Sequence, residues 1–208
     1  MSELLLLKAS PRGAESITGA LAESFAAKWL AANPDAIVNC RDLGPDKVAG
    51  PDQAWITANM TSPDARNEGQ RRLLEQSDVF IEELHRATHI VVASPMYNFS
   101  LPWNLKAYVD NIVRVDKTFS FSPEAGFGPL ISGDKKLLLI WSGAGDYTPG
   151  TALAAFDFLT PYIRGVFAFL GVTNFSEIAA GNQFAPPDVA EASVATSRKR
   201  LSLLSPAW

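Results

Sequence analysis

The stretch from residue 90 to residue 99 constrains the fold more than any other part of the chain. It begins with apolar, β-branched residues, a pattern typical of a strand buried on both faces of a parallel sheet. It then meets Pro95 and continues as a loop that carries two aromatic residues and an amide. A helix is predicted over residues 102–114, because Pro102 suits a first helical turn. Ligands of open α/β sheets bind at the carboxyl ends of the strands, where this loop lies.

Strand and helix patterns alternate along the whole chain. Strands are predicted at residues 4–8, 37–42, 89–94, 136–141 and 175–180. Helices are predicted at residues 16–32, 52–59, 63–86, 102–114, 152–170 and 188–204. This alternation predicts α/β architecture: one domain over residues 1–208, with a doubly wound five-stranded parallel sheet and helices on both faces. The common strand order for five strands is 2-1-3-4-5, with a switch point between strands 1 and 3. Residues 118–121 alternate like a short exposed strand, and residues 126–129 read as a turn.

Charge and composition exclude several classes of partner. The formal net charge is −4 and no basic cluster suits a nucleic-acid surface, so no nucleic-acid partner is expected. The leucine run near the N-terminus is too short for a signal peptide or a membrane span, which predicts a cytoplasmic protein without a membrane partner. No glycine-rich dinucleotide fingerprint or Walker-type sequence is present, which disfavours a Rossmann domain or a nucleoside triphosphatase.

The metal-binding and nucleophilic residue types are scarce. Cys40 is the single cysteine and lies in the predicted second strand, so we expect it to be a buried, inert thiol. His85 ends one predicted helix and His89 opens the third strand, and neither has a neighbour at ligand spacing. No metal site is therefore predicted.

The loop after the first strand carries three hydroxyl groups, on Ser10, Ser16 and Thr18. A helix follows at once, and its free N–H groups and positive dipole end make a ready site for a phosphate. The alternative is that Ser16 or Thr18 is only a helix N-cap. The phosphate interpretation is favoured because Ser10 stands well before the helix.

Three unusual loops fall side by side in the predicted strand order. They follow strands 1, 3 and 4, and the last is the small-residue loop Ser142, Gly143, Ala144 and Gly145. A phosphate site, an aromatic–amide loop and a glycine loop match the phosphate tail, the ring edge and the pyrimidine end of FMN. Each loop could also be an ordinary turn, although this is a weaker explanation for three adjacent ones.

These motifs resemble those of the FMN-dependent NADH-azoreductases, which are bacterial NAD(P)H:quinone oxidoreductases of flavodoxin-like fold. The residues that carry the resemblance are Met96-Tyr97-Asn98-Phe99 after Pro95, Ser10 and Ser16-Ile17-Thr18 upstream, and the loop 142–145. It extends over nearly the whole chain and also includes Asp42-Leu43, Thr118-Phe119 and Thr160-Pro161-Tyr162.

The resemblance implies a tightly bound FMN. Ser10 and the segment Ser16, Ile17 and Thr18 would hold its phosphate. Residues 96–99 would line the ring edge, with Asn98 near the flavin N5 as the catalytic contact, and residues 142–145 would face the pyrimidine side. No side-chain acid or base is required, because the flavin carries the redox chemistry. Phe119 and Tyr147 are candidates for stacking on substrate, although either could be ordinary packing.

The function implied is two-electron transfer from NADH or NADPH, through FMN, to quinones and aromatic azo compounds by a ping-pong mechanism. A flavodoxin-like electron carrier is one alternative, although such carriers are usually more acidic than −4. A reductase of free flavin with the same fold is another.

A homodimer is also predicted. The helix at residues 152–170 carries aromatic residues around more than one face, namely Phe156, Phe158, Tyr162, Phe167 and Phe169. A helix that covers one side of a sheet needs only one apolar stripe, so the surplus suggests a partner surface. Phe119, Phe121 and Phe127 would add apolar surface near the same rim of the sheet. The alternative is internal packing in a monomer.

Overall fold

The computed structural model describes residues 2–204 and 208. The central sheet contains β1 Glu3–Lys8, β2 Ile37–Asp42, β3 His89–Pro95, β6 Lys136–Ser142 and β7 Asn174–Ala180. All neighbouring pairs are parallel and the order is β2-β1-β3-β6-β7. This arrangement confirms the predicted order 2-1-3-4-5. A separate antiparallel hairpin consists of β4 Phe119–Ser122 and β5 Gly126–Pro129.

Six α-helices surround the sheet in the described part of the chain. They are α1 Ile17–Ala32, α2 Gln53–Met60, α3 Glu68–Arg86, α4 Trp103–Ile112, α5 Thr160–Leu170 and α6 Pro187–Leu204. Short 3₁₀ turns occur at Gly13–Glu15, Pro63–Ala65 and Ala154–Phe156.

Two hydrophobic cores lie on opposite faces of the sheet. Successive strand residues point to opposite faces, so the leucine run of β1 divides between them. Leu4 and Leu6 pack with α1 and α6, while Leu5 and Leu7 pack on the face of α3, α4 and α5. Burial on both faces explains why β1 and β3 read as continuous apolar runs rather than alternating ones.

Two predicted helices begin later than expected. The helix predicted from residue 63 begins at Glu68, because Asn67 and Gln70 form a capping box there, and Leu73 on it is exposed rather than buried. The helix predicted from residue 152 begins at Thr160. There one carboxylate oxygen of Asp157 accepts the N–H groups of Leu159 and Thr160 at 3.0 and 2.9 Å.

The prediction of a buried Cys40 was wrong, and so was the turn predicted at residues 126–129. Cys40 is exposed, because β2 is the edge strand of the sheet and its outer side has no neighbour among the described strands. Partial burial raises the pKa of its thiol, so the group stays largely protonated at neutral pH. Gly126–Pro129 is a strand paired with Phe119–Ser122, and the turn lies between these two segments.

The hairpin was expected near the carboxyl ends of the strands, where the cleft was predicted, and it lies instead near their amino ends. The N–H of Ile131 donates to the carbonyl of Leu170, the last residue of α5, at 3.1 Å. The imidazole of His85, near the end of α3, lies 2.9 Å from the carbonyl of Lys117. Both helices end where the next strand begins, so the hairpin sits beside the amino ends of the strands.

None of the described helices is long and apolar enough to cross a membrane.

Candidate functional site

A cleft of about 270 Å³ opens at the carboxyl ends of β1, β3 and β6, where the sequence places its unusual loops. Its lining is mainly apolar with a few polar groups, as is usual for a small-molecule site. The lining residues are Ser10, Arg12, Ser16, Ile17, Pro95, Met96, Tyr97, Ser142, Gly143, Ala144, Gln183 and Phe184.

The first wall is the loop between β1 and α1. Ser16 caps α1, with its hydroxyl accepting the N–H of Gly19 at 3.0 Å and lying 3.1 Å from the hydroxyl of Thr18. The N–H groups of Ile17 and Thr18 meet no acceptor in the described chain. Ser16 is thus the N-cap of α1, and two N–H donors and the positive helix end stay free for an anion.

Arg12 also lines this wall, and its guanidinium lies 3.5 Å from the carboxylate of Glu15. Both side chains are exposed, so the pair is weak and Arg12 remains able to turn toward an anion in the cleft.

The second wall follows β3 and contains a strained turn. Tyr97 and Ser100 exchange two backbone hydrogen bonds, at 2.9 and 3.0 Å. The two residues between them, Asn98 and Phe99, have positive φ angles of 48° and 71°, which correspond to a tight type I′ geometry. Asparagine tolerates this region and phenylalanine does not, so Phe99 is strained. The N–H of Asn98 makes no hydrogen bond within the described residues and is free to face a ligand.

The third wall is the loop after β6, and a fourth, not anticipated from the sequence, is the loop after β7. Three backbone N–H groups of the fourth wall donate to three carbonyls of the third: Asn182 to Gly145, Gln183 to Gly143 and Phe184 to Ala144, each at 3.0 to 3.1 Å. The two walls therefore form one rigid unit. A Cβ on Gly181 would come within 2.8 Å of the carbonyl oxygen of Gly145, so this close approach requires glycine.

Most of the predicted site residues meet in the cleft, and some do not. Eight line it directly: Ser10, Ser16, Ile17, Met96, Tyr97, Ser142, Gly143 and Ala144. Thr18 is buried behind Ser16, Asn98 and Phe99 stand exposed at the rim, and Gly145 faces Leu153 and the fourth wall.

The two candidate stacking residues are separated. Tyr147 packs 6.1 Å from Phe99, measured between ring centroids, beside the cleft. Phe119 packs against Phe127 and Phe169 beside the amino ends of the strands, far from the cleft of its own chain.

Four lining residues are absent from the sequence-based site. Pro95 and Arg12 adjoin predicted residues, and their position in the motif could have signalled them. Gln183 and Phe184 lie in a loop with no motif of its own, which reaches the cleft only because β7 is the neighbour of β6. Phe184 is 91% exposed, an unusual position for an aromatic side chain unless a ligand or partner covers it.

The described lining of the cleft carries groups that hold a ligand by hydrogen bonds and charge. No group of three histidine, cysteine, aspartate or glutamate residues that could hold a metal exists among the described residues. The cleft offers backbone donors, hydroxyls, one guanidinium and aromatic faces. This set suits a planar ligand with an anionic tail.

The parallel sheet, its strand order and a cleft at the switch point define a flavodoxin-like protein. The family model for the flavodoxin-like fold matches residues 2–203. An FMN-dependent NADH:quinone oxidoreductase of Trichormus variabilis is 36% identical over all of both chains. One of Acidobacterium capsulatum is 40% identical over 91% of each chain. The crystal structure of an azoreductase from Bacillus anthracis superposes with a TM-score of 0.89 at 25% identity, covering all of both chains.

The chain belongs to the flavodoxin-like fold family and, within it, to the group of FMN-dependent NADH:quinone oxidoreductases. The resemblance drawn from the sequence motifs is thereby confirmed.

Proposed function

We propose that this protein is an FMN-dependent oxidoreductase that transfers two electrons from NADH or NADPH to quinones and aromatic azo compounds. The observation that carries the proposal is the cleft, whose donors fit FMN. Free N–H groups at the start of α1 suit its phosphate, and a free N–H on Asn98 suits its ring edge. The full-length relatives named as FMN-dependent NADH:quinone oxidoreductases support the same reaction.

The residues of the cleft divide into two roles. Ser10, Ser16 and the N–H groups of Ile17 and Thr18 would bind the phosphate, with the α1 dipole adding attraction for negative charge. Met96 and Tyr97 would lie along the ring, and the backbone of Asn98 would donate near N5.

Residues 142–145 would approach the pyrimidine side. Gly143 and Ala144, which line the cleft with little or no side chain, leave room for close backbone contact.

When bound, FMN supplies the redox chemistry: hydride acceptance from a reduced nicotinamide and two-electron transfer to an acceptor. The protein holds the ring with preorganised N–H donors, which favour negative charge on it. One small cleft supports a ping-pong order, in which the donor leaves before the acceptor enters.

Purification followed by a reduction assay tests the proposal. The protein should be yellow, and NADH or NADPH should bleach its flavin absorption. Steady-state rates with both nucleotides and a panel of quinones and azo dyes should give parallel double-reciprocal lines. A colourless protein that FMN cannot reconstitute would contradict the proposal.

The same assay separates the two alternatives. An electron carrier would bind FMN without turning over a soluble quinone. A reductase of free flavin would exchange its flavin rapidly and use flavin as its best acceptor.

We also propose that this single domain works as a homodimer with two equivalent sites. Exposed aromatic side chains stand at both ends of α5: Phe156 and Phe158 precede its first residue, near the cleft, and Phe169 near its last residue packs beside Phe127 and Phe121 of the hairpin. Phe167 points into the core and Tyr162 is half-buried, so neither adds much to this surface.

A twofold axis across the middle of α5 would exchange its two ends. The helix has 11 residues and is therefore about 16 Å long. The hairpin of one subunit would then reach the cleft of the other, and this would bring Phe119 or its neighbours toward a bound substrate. A cytoplasmic location stays a prediction.

A further inference from the structure

Asn104 is a buried amide on the first turn of α4, next to the cleft but outside its lining. Its side chain is 1% exposed. The side-chain N–H groups donate to the carbonyl oxygen of Ala9, at 2.9 Å, and to the carbonyl oxygen of Leu43. One side chain therefore bonds to two distant segments of backbone.

These two carbonyls stand at the carboxyl edge of the sheet. Ala9 follows β1 and directly precedes Ser10 of the first wall, and Leu43 directly follows β2. Helix α4 itself follows the second wall without a long connection. Asn104 thus ties the first wall, the end of β2 and the helix that continues the second wall to one another.

The other polar atom of the Asn104 side chain has no partner among the described residues. Its Oδ1 is buried and meets no donor in the part of the chain that the structure describes. A buried acceptor without a donor is unfavourable. The contribution of the amide at this position is therefore the two hydrogen bonds that its N–H groups donate.

We propose that Asn104 is a positioning residue that sets the separation between the first and second walls of the cleft. The proposal rests on the proposed function, because it supposes that FMN must engage the α1 end with its phosphate and the Asn98 turn with its ring. If the tie is cut, each wall keeps its own groups, but the two no longer lie at the spacing that one ligand requires.

Asn111 on the same helix provides a matched control. It is 2% exposed, and its amide N–H groups donate to the carbonyls of Ala49 and Ala107, both at 2.9 Å. Neither carbonyl belongs to the lining of the cleft. Asn104→Leu and Asn111→Leu each remove two bonds from an amide to backbone carbonyls on the same helix. One of the Asn111 bonds stays within α4 and the other reaches Ala49, so only Asn104→Leu removes a tie between the walls.

The experiment is a titration of each apoprotein with FMN, followed by flavin fluorescence, with urea unfolding measured in parallel. Both variants should lose stability. Asn104→Leu should bind FMN ~tenfold more weakly than wild type, a ratio that corresponds to one or two hydrogen bonds lost between the displaced wall and FMN. Asn111→Leu should bind FMN as wild type does. Equal FMN affinities in the two variants at similar stabilities would overturn the proposal.

Two further measurements keep the outcome decisive. If Asn104→Leu does not fold, Asn104→Gln and Asn111→Gln replace the leucine pair, since glutamine keeps the donors and lengthens the tie. Weaker FMN binding in the Asn104→Gln variant alone supports the proposal, and equal binding in the two glutamine variants overturns it. Wild-type protein that binds no FMN would instead contradict the proposed function, which separates the two failures.

Discussion

The N–H of Phe158 donates to the carbonyl oxygen of Phe99 at 3.0 Å, and the ring of Phe99 lies 5.2 Å from that of Phe156. The segment before α5 thus holds the strained turn after β3 from outside. A phenylalanine at a φ of 71° persists because its surroundings fix it. The turn that presents the N–H of Asn98 is therefore held in place by the protein itself before any ligand binds.

Replacing Asn98 by alanine should lower turnover more than it lowers FMN affinity. The first wall would still supply most of the binding, while the loss of the amide disturbs the donor at the ring edge. Asn98→Gly is the control for backbone strain, because glycine accepts the φ of 48° without penalty. The measurement compares the turnover rate at saturating FMN with the FMN dissociation constant of each variant. Equal effects on both quantities would contradict it.

Replacing Ser16 by alanine should do the reverse. FMN affinity should fall by roughly 0.5–1.5 kcal/mol for each hydrogen bond lost. The loss of the N-cap should also lower the free energy of unfolding by about 1 kcal/mol. Asp52→Ala provides the control, because Asp52 caps α2 through the N–H of Trp55 and does not line the cleft. It should reduce stability and leave FMN binding unchanged. A similar loss of affinity in both variants would mean that the effect is one of stability alone.

Gly181→Ala should disrupt the contact between the third and fourth walls. Its new Cβ would meet the backbone oxygen of Gly145, which cannot move aside as a flexible side chain could. We expect a loss of about 1–3 kcal/mol in the free energy of unfolding, together with weaker FMN binding. Gly50→Ala is the control, since its Cβ would meet nothing within 4 Å. Chemical denaturation measures the free energy of unfolding of both variants. A Gly181→Ala protein as stable as wild type would show that the loops can separate freely.

Stability should depend on His89 between pH 6.5 and about 4. Burial, with a smaller contribution from Lys136, lowers the pKa of His89 from 6.5 to about 4. The ring lies between those of Trp29 and Trp208, and its Nδ1 is 2.8 Å from the Thr88 hydroxyl.

Because the folded state resists protonation in this window, the unfolded state binds more protons and stability falls as the pH drops. His89→Gln should flatten this part of the pH profile, measured by urea unfolding, relative to wild type. A His89→Gln variant whose stability depends on pH in this window as wild type does would contradict this explanation.

Light scattering at micromolar concentration should give the mass of two chains. Phe158→Asp should shift the mass toward that of one chain, because it places a charge among the exposed aromatic side chains before α5. Leu203→Asp is the control, since Leu203 is exposed on α6, which packs on the opposite face of the sheet from α5. Wild-type protein with the mass of one chain and full activity would refute the dimer.

The sequence by itself determined the sheet and the cleft to a large extent. Apolar runs such as that of β1 can be recognised as strands because a strand buried on both faces is apolar throughout and has no alternating polar residues. The side-by-side placement of the Ser16, Met96 and Gly143 loops followed from strand order alone, since parallel strands carry all their following loops at one edge.

The tertiary structure alone decided the features that depend on long-range contacts. The fourth wall around Phe184 reaches the cleft because three backbone hydrogen bonds join it to the loop after β6. Backbone hydrogen bonds do not depend on the side chains, so the sequence pattern does not reveal them. Cys40 is exposed because β2 lies at the edge of the sheet, a position that its own sequence does not encode. The helix α5 starts late because a 3₁₀ turn at Ala154–Phe156 precedes it and the carboxylate of Asp157 then accepts the N–H groups of Leu159 and Thr160, a turn that the residue pattern does not reveal. Local patterns fix what each segment prefers, whereas the neighbour that it meets is fixed by the packing of the whole chain.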